Sequence, residues 1–168
     1  MKTILITGAA QGIGYHAAVT LAAMGHTVFA LVRPSSDRSK LDAAQAELKT
    51  LHVLVADVTD SASIDTAIAS ALSISKRMDV VVNNACHVVI GTCETCALAE
   101  QMTSMDVNYF GPVRVLQAVL PLMRKQRSGK VINISSIAGY EPFPHLEAYV
   151  ASKWALEGLS ESLAVHLA

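Results

Sequence analysis

Tyr149 and Lys153 stand four residues apart in a stretch of helical character, so their side chains share one helix face. A free phenol ionises at about pH 10, too high to trade protons readily near neutrality, and an adjacent ammonium favours the phenolate. The pair therefore has the makings of a general acid and base. Ser136 follows the apolar run Val131 to Ile134, at the strand end where open parallel sheets place their ligands. Its hydroxyl suits the holding of a carbonyl oxygen while Tyr149 gives or takes the proton. Taken alone, Tyr-x-x-x-Lys is an ordinary surface pattern; Ser136 and a glycine run near the N-terminus give it weight.

That run is Thr7-Gly8-Ala9-Ala10-Gln11-Gly12-Ile13-Gly14, placed between a short β-rich segment and a helical one. Gly8 permits a tight turn, Gly12 lets backbone N–H groups approach a pyrophosphate, and Gly14 allows helix and strand to pack closely. A helix opening there adds unpaired donors and the positive end of its dipole. The second strand ends in Arg33, where an acidic side chain would hold a ribose 2′-hydroxyl. A guanidinium suits a 2′-phosphate instead, with Ser35 and Ser36 as further donors. The residues thus favour NADP(H) over NAD(H). The nearest acid, Asp37, falls in the loop beyond.

Elements able to position these residues alternate along the chain. Strands are expected over residues 2–7, 26–33, 51–56, 79–84 and 130–135. Helices are expected over 12–24, 37–49, 61–75, 104–126 (bent or interrupted near Pro112 and Pro121) and 147–168. Strands separated by helices imply right-handed crossovers and a doubly wound parallel sheet of about five strands with helices on both faces. The 168 residues contain no repeat or long linker and read as a single α/β domain. Hydrophobic residues make up 52% and charged ones 16%, as suits strands covered on both sides. A net charge of −1 without a basic stripe argues against nucleic-acid or anionic-membrane partners. The three cysteines, Cys86, Cys93 and Cys96, form no even-numbered framework, which points to a reducing cytoplasmic compartment. Cys93-x-x-Cys96 lacks the second ligand pair of a zinc knuckle, so no metal is expected.

Several stretches in this order resemble the short-chain dehydrogenase/reductases. They are the glycine run from Thr7 to Gly14, Asp57-Val58, Asn83-Asn84-Ala85, Asn108, Ser135-Ser136 and Tyr149-x-x-Ser152-Lys153. Within that family, Val107 to Pro112 and Ala155 to Glu161 are most similar to the hydroxysteroid- and retinol-dehydrogenase-like branch. The resemblance implies a Rossmann-type NAD(P)-binding domain. It implies Ser136, Tyr149 and Lys153 as catalytic residues, and Asn108 as holder of a water that relays protons to Lys153. Tyr149 and Lys153 would also contact the cofactor, Lys153 at the nicotinamide ribose. Cofactor binding would fall to Thr7, Gly8, Gln11, Gly12, Ile13, Gly14 and Arg33. Asp57 would contact the adenine and Val58 its surroundings, while Asn84 and Ala85 would line the cleft and Asn83 would tie central strands together. The expected activity is NADP(H)-dependent hydride transfer between a secondary alcohol and a ketone or aldehyde. The partner would be a small apolar substrate, in a homodimer or homotetramer using the apolar face of the last helix (Leu156, Leu159, Leu163).

Two departures from the family pattern stand out. Cys86 replaces the family's glycine after Asn83-Asn84-Ala85, putting a side chain where the glycine leaves the cofactor room. The chain also reads as incomplete at its C-terminus relative to the family. That leaves strand five as an exposed apolar edge and turnover by these residues alone weak. A catalytically inactive NADP(H)-binding module, or a truncated remnant, is the alternative expectation.

Overall fold

A computed structural model describes residues 1–167. Five strands form one parallel sheet in the order β3-β2-β1-β4-β5: β1 Thr3–Thr7, β2 Thr27–Val32, β3 Leu51–Val55, β4 Val80–Asn83 and β5 Lys130–Asn133. Six helices connect and follow them: α1 Gly12–Ala23, α2 Ser39–Glu47, α3 Ser61–Ser75, α4 Leu98–Met105, α5 Gly111–Gln126 and α6 Glu147–Leu167. Residue 168, expected to prolong the last helix, lies outside the described residues.

β1 is buried at every position because alternate side chains enter two different cores. Leu5 joins Phe29, Leu31 and Val81 beneath Ile64 and Ile68 of α3 and Val115 and Val119 of α5. Ile4 and Ile6 join Val28, Ala30 and Val32 beneath Ala18 and Ala22 of α1 and Leu41 of α2. Each large side chain so enclosed contributes about 1.5–3 kcal/mol relative to exposure. Covering on both faces accounts for the unbroken apolar strand sequences.

The strand order reverses between β1 and β4, whose carboxyl ends open a crevice at that switch point. Expected and observed elements agree in kind, and the strands are shorter by a residue or two at their ends. One region differs in substance. Helix α4 begins at Leu98, where Glu100 Oε2 accepts from the Ala97 N–H at 3.0 Å, rather than at Ser104. A π-helical turn, Asp106–Phe110, then joins α4 to α5. Pro112 has no N–H to offer the Asn108 carbonyl four residues earlier, and the chain winds wider there. The N–H of Gly111 bonds the Asp106 carbonyl across this turn.

Candidate active site

The loop after β1 is shaped by what it must pass. Gly8 has φ +67°, and a Cβ there would lie 2.7 Å from the Ala85 Cα. A Cβ on Gly14 would lie 2.5 Å from both the Gly8 carbonyl oxygen and the Asn84 amide nitrogen. Neither position accepts a side chain without displacing backbone. Asn84 donates through Nδ2 to the carbonyls of Thr7 (2.9 Å) and Gly8 (3.1 Å). The buried Thr7 hydroxyl accepts from the N–H groups of Asn84 and Ala85, both at 3.0 Å. Thr7 and Asn84 therefore clamp the ends of β1 and β4 together, leaving backbone rather than these side chains to line the crevice. Gln11, Gly12 and Ile13 are exposed at the start of α1, whose N-terminus has no side-chain cap. Its first N–H groups are free to receive an anion, and Gly12 has open space around it. The cradle fits a dinucleotide's pyrophosphate.

Around this cradle, Arg33 is exposed just past the end of β2. Asp37 is engaged elsewhere, since its Oδ1 accepts from the Ser39 N–H at 2.9 Å, which holds the carboxyl below its usual range. Asp57 Oδ1 likewise accepts from the N–H (2.9 Å) and hydroxyl (2.7 Å) of Thr59, forming a tight turn after β3. Val58 is buried in the core against Gly111. The Asn83 side chain donates to Asn133 Oδ1 at 2.8 Å and so ties β4 to β5.

The catalytic candidates meet at the carboxyl end of β4 and β5. Tyr149 lies in the first turn of α6 and Lys153 one turn later, its Nζ 5.7 Å from the centre of the Tyr149 ring. Ser136 lies beyond β5 and caps a 3₁₀ turn, Ile137–Gly139, its Oγ accepting from the Ala138 N–H at 3.2 Å. It acts on the Tyr149 hydroxyl in the direction that favours the phenolate. Asn108, buried in the π-helical turn, is fully engaged through its side chain. It accepts from the His87 N–H (2.8 Å) and donates to the His87 carbonyl (2.8 Å) and the Ser152 hydroxyl (2.9 Å). It thereby pins the segment after β4 to α6, one residue before Lys153.

The net direction at the phenol is upward, opposite to the downward pull expected of Lys153 alone. Burial pushes the Tyr149 hydroxyl above the ordinary phenol value, Ser136 opposes this, and Cys86 adds to the rise. Lys153 Nζ donates to the Ile134 carbonyl at 2.9 Å. Burial pushes its own pKa down, with Cys86 and Glu157 acting the other way. The spacing of Tyr149 and Lys153 places them on one face, but their electrostatics depend on depth and on neighbours from other elements. The influence of Cys86 on the proton affinity of both is not foreseen by sequence reasoning; its position directly after Asn84-Ala85 is the available signal. Nor is the bridge from the loop after β4 to the start of α6, where the Gly91 N–H donates to the His145 carbonyl at 2.8 Å. Leu156 is buried, whereas Leu159 and Leu163 line an open cavity of about 430 Å³ between α5 and α6.

A parallel α/β sheet with a glycine cradle at its switch point is a Rossmann-type dinucleotide-binding architecture. The sequence of residues 2–168 matches the short chain dehydrogenase family, and the chain belongs to it. It is 42% identical over 166 residues to a 3-ketodihydrosphingosine reductase of Bacteroides thetaiotaomicron, covering 99% of this chain and 58% of that one. Human retinol dehydrogenase 8 is 40% identical over 99% of this chain and 54% of its own. Rat estradiol 17-beta-dehydrogenase 1 is 42% identical over 98% of this chain and 49% of its own. These relatives put the chain on the hydroxysteroid and retinol side of the family. The crystal structure of a short-chain dehydrogenase from Streptomyces avermitilis superposes with a TM-score of 0.92 at 38% identity, over 99% of this chain and 60% of that one. The chain thus spans about half the length of the curated relatives it matches.

Proposed function

We propose that this chain carries the cofactor cradle and acid–base centre of an NADP(H)-dependent oxidoreductase. It would interconvert an apolar alcohol, most simply a secondary one, with its ketone or aldehyde. The observation that carries this reading is Tyr149 set one helical turn from buried Lys153, with Ser136 just beyond β5, at the same carboxyl edge of the sheet as the glycine cradle. The N-terminus of α1 with Gly8, Gly12 and Ile13 would hold the pyrophosphate. Arg33, Ser35 and Ser36 would hold the 2′-phosphate, Asp57 and Val58 the adenine side, and Lys153 the nicotinamide ribose. When bound, the nicotinamide supplies hydride transfer.

The protein's own part is to place a carbonyl oxygen and manage one proton. Ser136 holds the oxygen, and Tyr149 keeps a proton on its hydroxyl to deliver to it in reduction, or receives one from the alcohol in oxidation. The Lys153 ammonium stabilises the phenolate left behind. Asn108 steadies both through His87 and Ser152; relay of protons through a water beside it is supplied by family resemblance. Val88 and Ile90 in the loop after β4, and Ile137 next to Ser136, are exposed apolar side chains on the segments that follow the carboxyl ends of β4 and β5. The names of the relatives, a reductase of a sphingoid ketone and dehydrogenases of retinol and estradiol, point to the same substrate class. Three free thiols fit a reducing, cytoplasmic setting, and the α5–α6 face fits association into a homodimer or homotetramer.

Following NADPH absorbance in the presence of a steroid ketone or retinal tests the proposal. Tyr149→Phe should lower turnover by about 10²–10⁴-fold while NADPH, held chiefly at the cradle and Arg33, still binds in fluorescence titration. NADPH binding without any turnover, indifferent to Tyr149→Phe, would instead mark an inactive cofactor-binding module.

A further inference from the structure

The turn after β3 is fixed in shape by residues close to it in the chain. The Asp57 N–H donates to the Ser63 hydroxyl at 3.1 Å, and the Asp57 carbonyl accepts from the Asp60 N–H at 3.1 Å. The Thr59 N–H closes on Asp57 Oδ1 at 2.9 Å. The Val58 carbonyl instead reaches a distant partner, accepting from Arg114 Nη1 of α5 at 3.2 Å. The other arm of that guanidinium, Nη2, donates to Asp106 Oδ1 at 2.7 Å, and Nη1 also faces the Asp106 carbonyl at 3.5 Å. Asp106 opens the π-helical turn that carries Asn108. Beside this fork the Val58 side chain packs on Gly111, where a Cβ would lie 3.0 Å from the Val58 Cγ2. The Arg114 side chain is only 22% exposed, so solvent screens the fork less than it would a surface ion pair.

We infer that Arg114 is a positioning residue of the cofactor cleft: it anchors the Asp57-Val58 turn, which would receive the adenine, to the turn that carries Asn108, and so presets the place of the adenine. Local bonds give each turn its shape, whereas the Arg114 fork determines where one stands relative to the other. A planar guanidinium suits the task because its two arms hold two acceptors at a fixed angle; a lysine ammonium on a flexible stem would not fix their spacing. A turn held in place beforehand spares an arriving ligand the cost of ordering it. Without the fork the turn keeps its shape but loses its station, which the ligand must then restore.

This inference rests on the reading of Asp57 and Val58 as the adenine side, so ligand binding is paired with a measurement on the free chain. NADPH and reduced nicotinamide mononucleotide, which lacks the adenine, are titrated by fluorescence, and 2′,5′-ADP by displacement of NADPH. Arg114→Ala should weaken NADPH and 2′,5′-ADP by about tenfold each and leave the mononucleotide within about twofold. Arg114→Lys, which keeps the charge and the stem and guards against a folding defect, should weaken the same two ligands. Equal weakening of all three, or 2′,5′-ADP bound as tightly as before, would overturn the inference. In the free chain the Thr59 amide belongs to the peptide whose carbonyl Arg114 binds. Asp106→Ala, a change in the other turn, should shift its signal in ¹⁵N NMR spectra; an unmoved signal would also overturn the inference. That shift in a chain that binds neither NADPH nor 2′,5′-ADP would support the anchoring by Arg114 while counting against the cofactor reading.

Discussion

Burial holds the Tyr149 hydroxyl above the ordinary phenol value, with Ser136 acting the other way. The sign of that balance has a kinetic consequence. Carbonyl reduction needs the protonated phenol, so its kcat/KM should stay level across neutral pH and fall only as pH climbs beyond about 10, the ordinary phenol value. Alcohol oxidation needs the phenolate and should rise over that same alkaline range. A reduction rate that fell between about pH 7 and 9 would contradict the raised value. Arg33 is the second residue whose role rests on a single side chain. It is exposed at the end of β2, and Asp37 is occupied by the Ser39 N–H, so under the proposed NADP(H) reading Arg33 would meet the 2′-phosphate. Arg33→Ala should weaken NADPH by about 10–100-fold, the 1.5–3 kcal/mol of charge-assisted hydrogen bonds, and leave NADH binding nearly unchanged. Equal weakening of both in fluorescence titrations would remove Arg33 from cofactor choice. Residue types and order are enough to nominate Tyr149, Lys153, Ser136 and Arg33. The direction of the Tyr149 shift is not legible in them, since it depends on burial and on Cys86.

Elements determine whether those residues meet. The π-helical turn follows from Pro112, and it carries Asn108 inward to grip the His87 backbone and Ser152. The sequence pattern indicates an interruption near Pro112 but not this consequence, because the partners lie on other elements. Asn108→Ala would leave the His87 N–H without its partner and take one partner each from the His87 carbonyl and the Ser152 hydroxyl, at about 1–3 kcal/mol for a buried group that stays unpaired. Urea denaturation should show a midpoint lowered by a stability loss of that order. A change below about 0.5 kcal/mol would mean that solvent replaces the amide at little cost. The early start of helix α4 also depends on a contact that residue types do not announce. Thr92 to Cys96 is a polar turn, and the helix start is set by the Glu100 carboxylate reaching back to Ala97. The ordinary Ser, Thr, Asn or Asp cap signal is absent at Ala97.

At the scale of the molecule, β1 and β2 are enclosed on both faces, while β5 forms an edge of the sheet. Ile132 stays partly exposed there, and a cavity of about 860 Å³ opens between β5, α5 and α6, lined by Leu120, Met123, Val131 and Leu163. An apolar edge of this kind invites pairing with other chains. Ile132→Lys should therefore reduce self-association of the 168-residue chain in light scattering. Its unfolding free energy should move by no more than about 0.5 kcal/mol, as for a surface change. Undiminished association would shift attention to the α5–α6 face. Among the described residues, no helix is long and apolar enough to cross a membrane. The alternation of apolar strands with helices, the glycine spacing and the i, i+4 pair of α6 are local properties, so the sequence by itself determined the α/β class, the cradle and the catalytic candidates. The clamp of Thr7 on Asn84, the grip of Asn108 on His87 and the bond of Lys153 to the Ile134 carbonyl were decided only by the tertiary structure. Each joins residues far apart in the chain, and hydrogen bonding and burial act on distance in space rather than along the sequence.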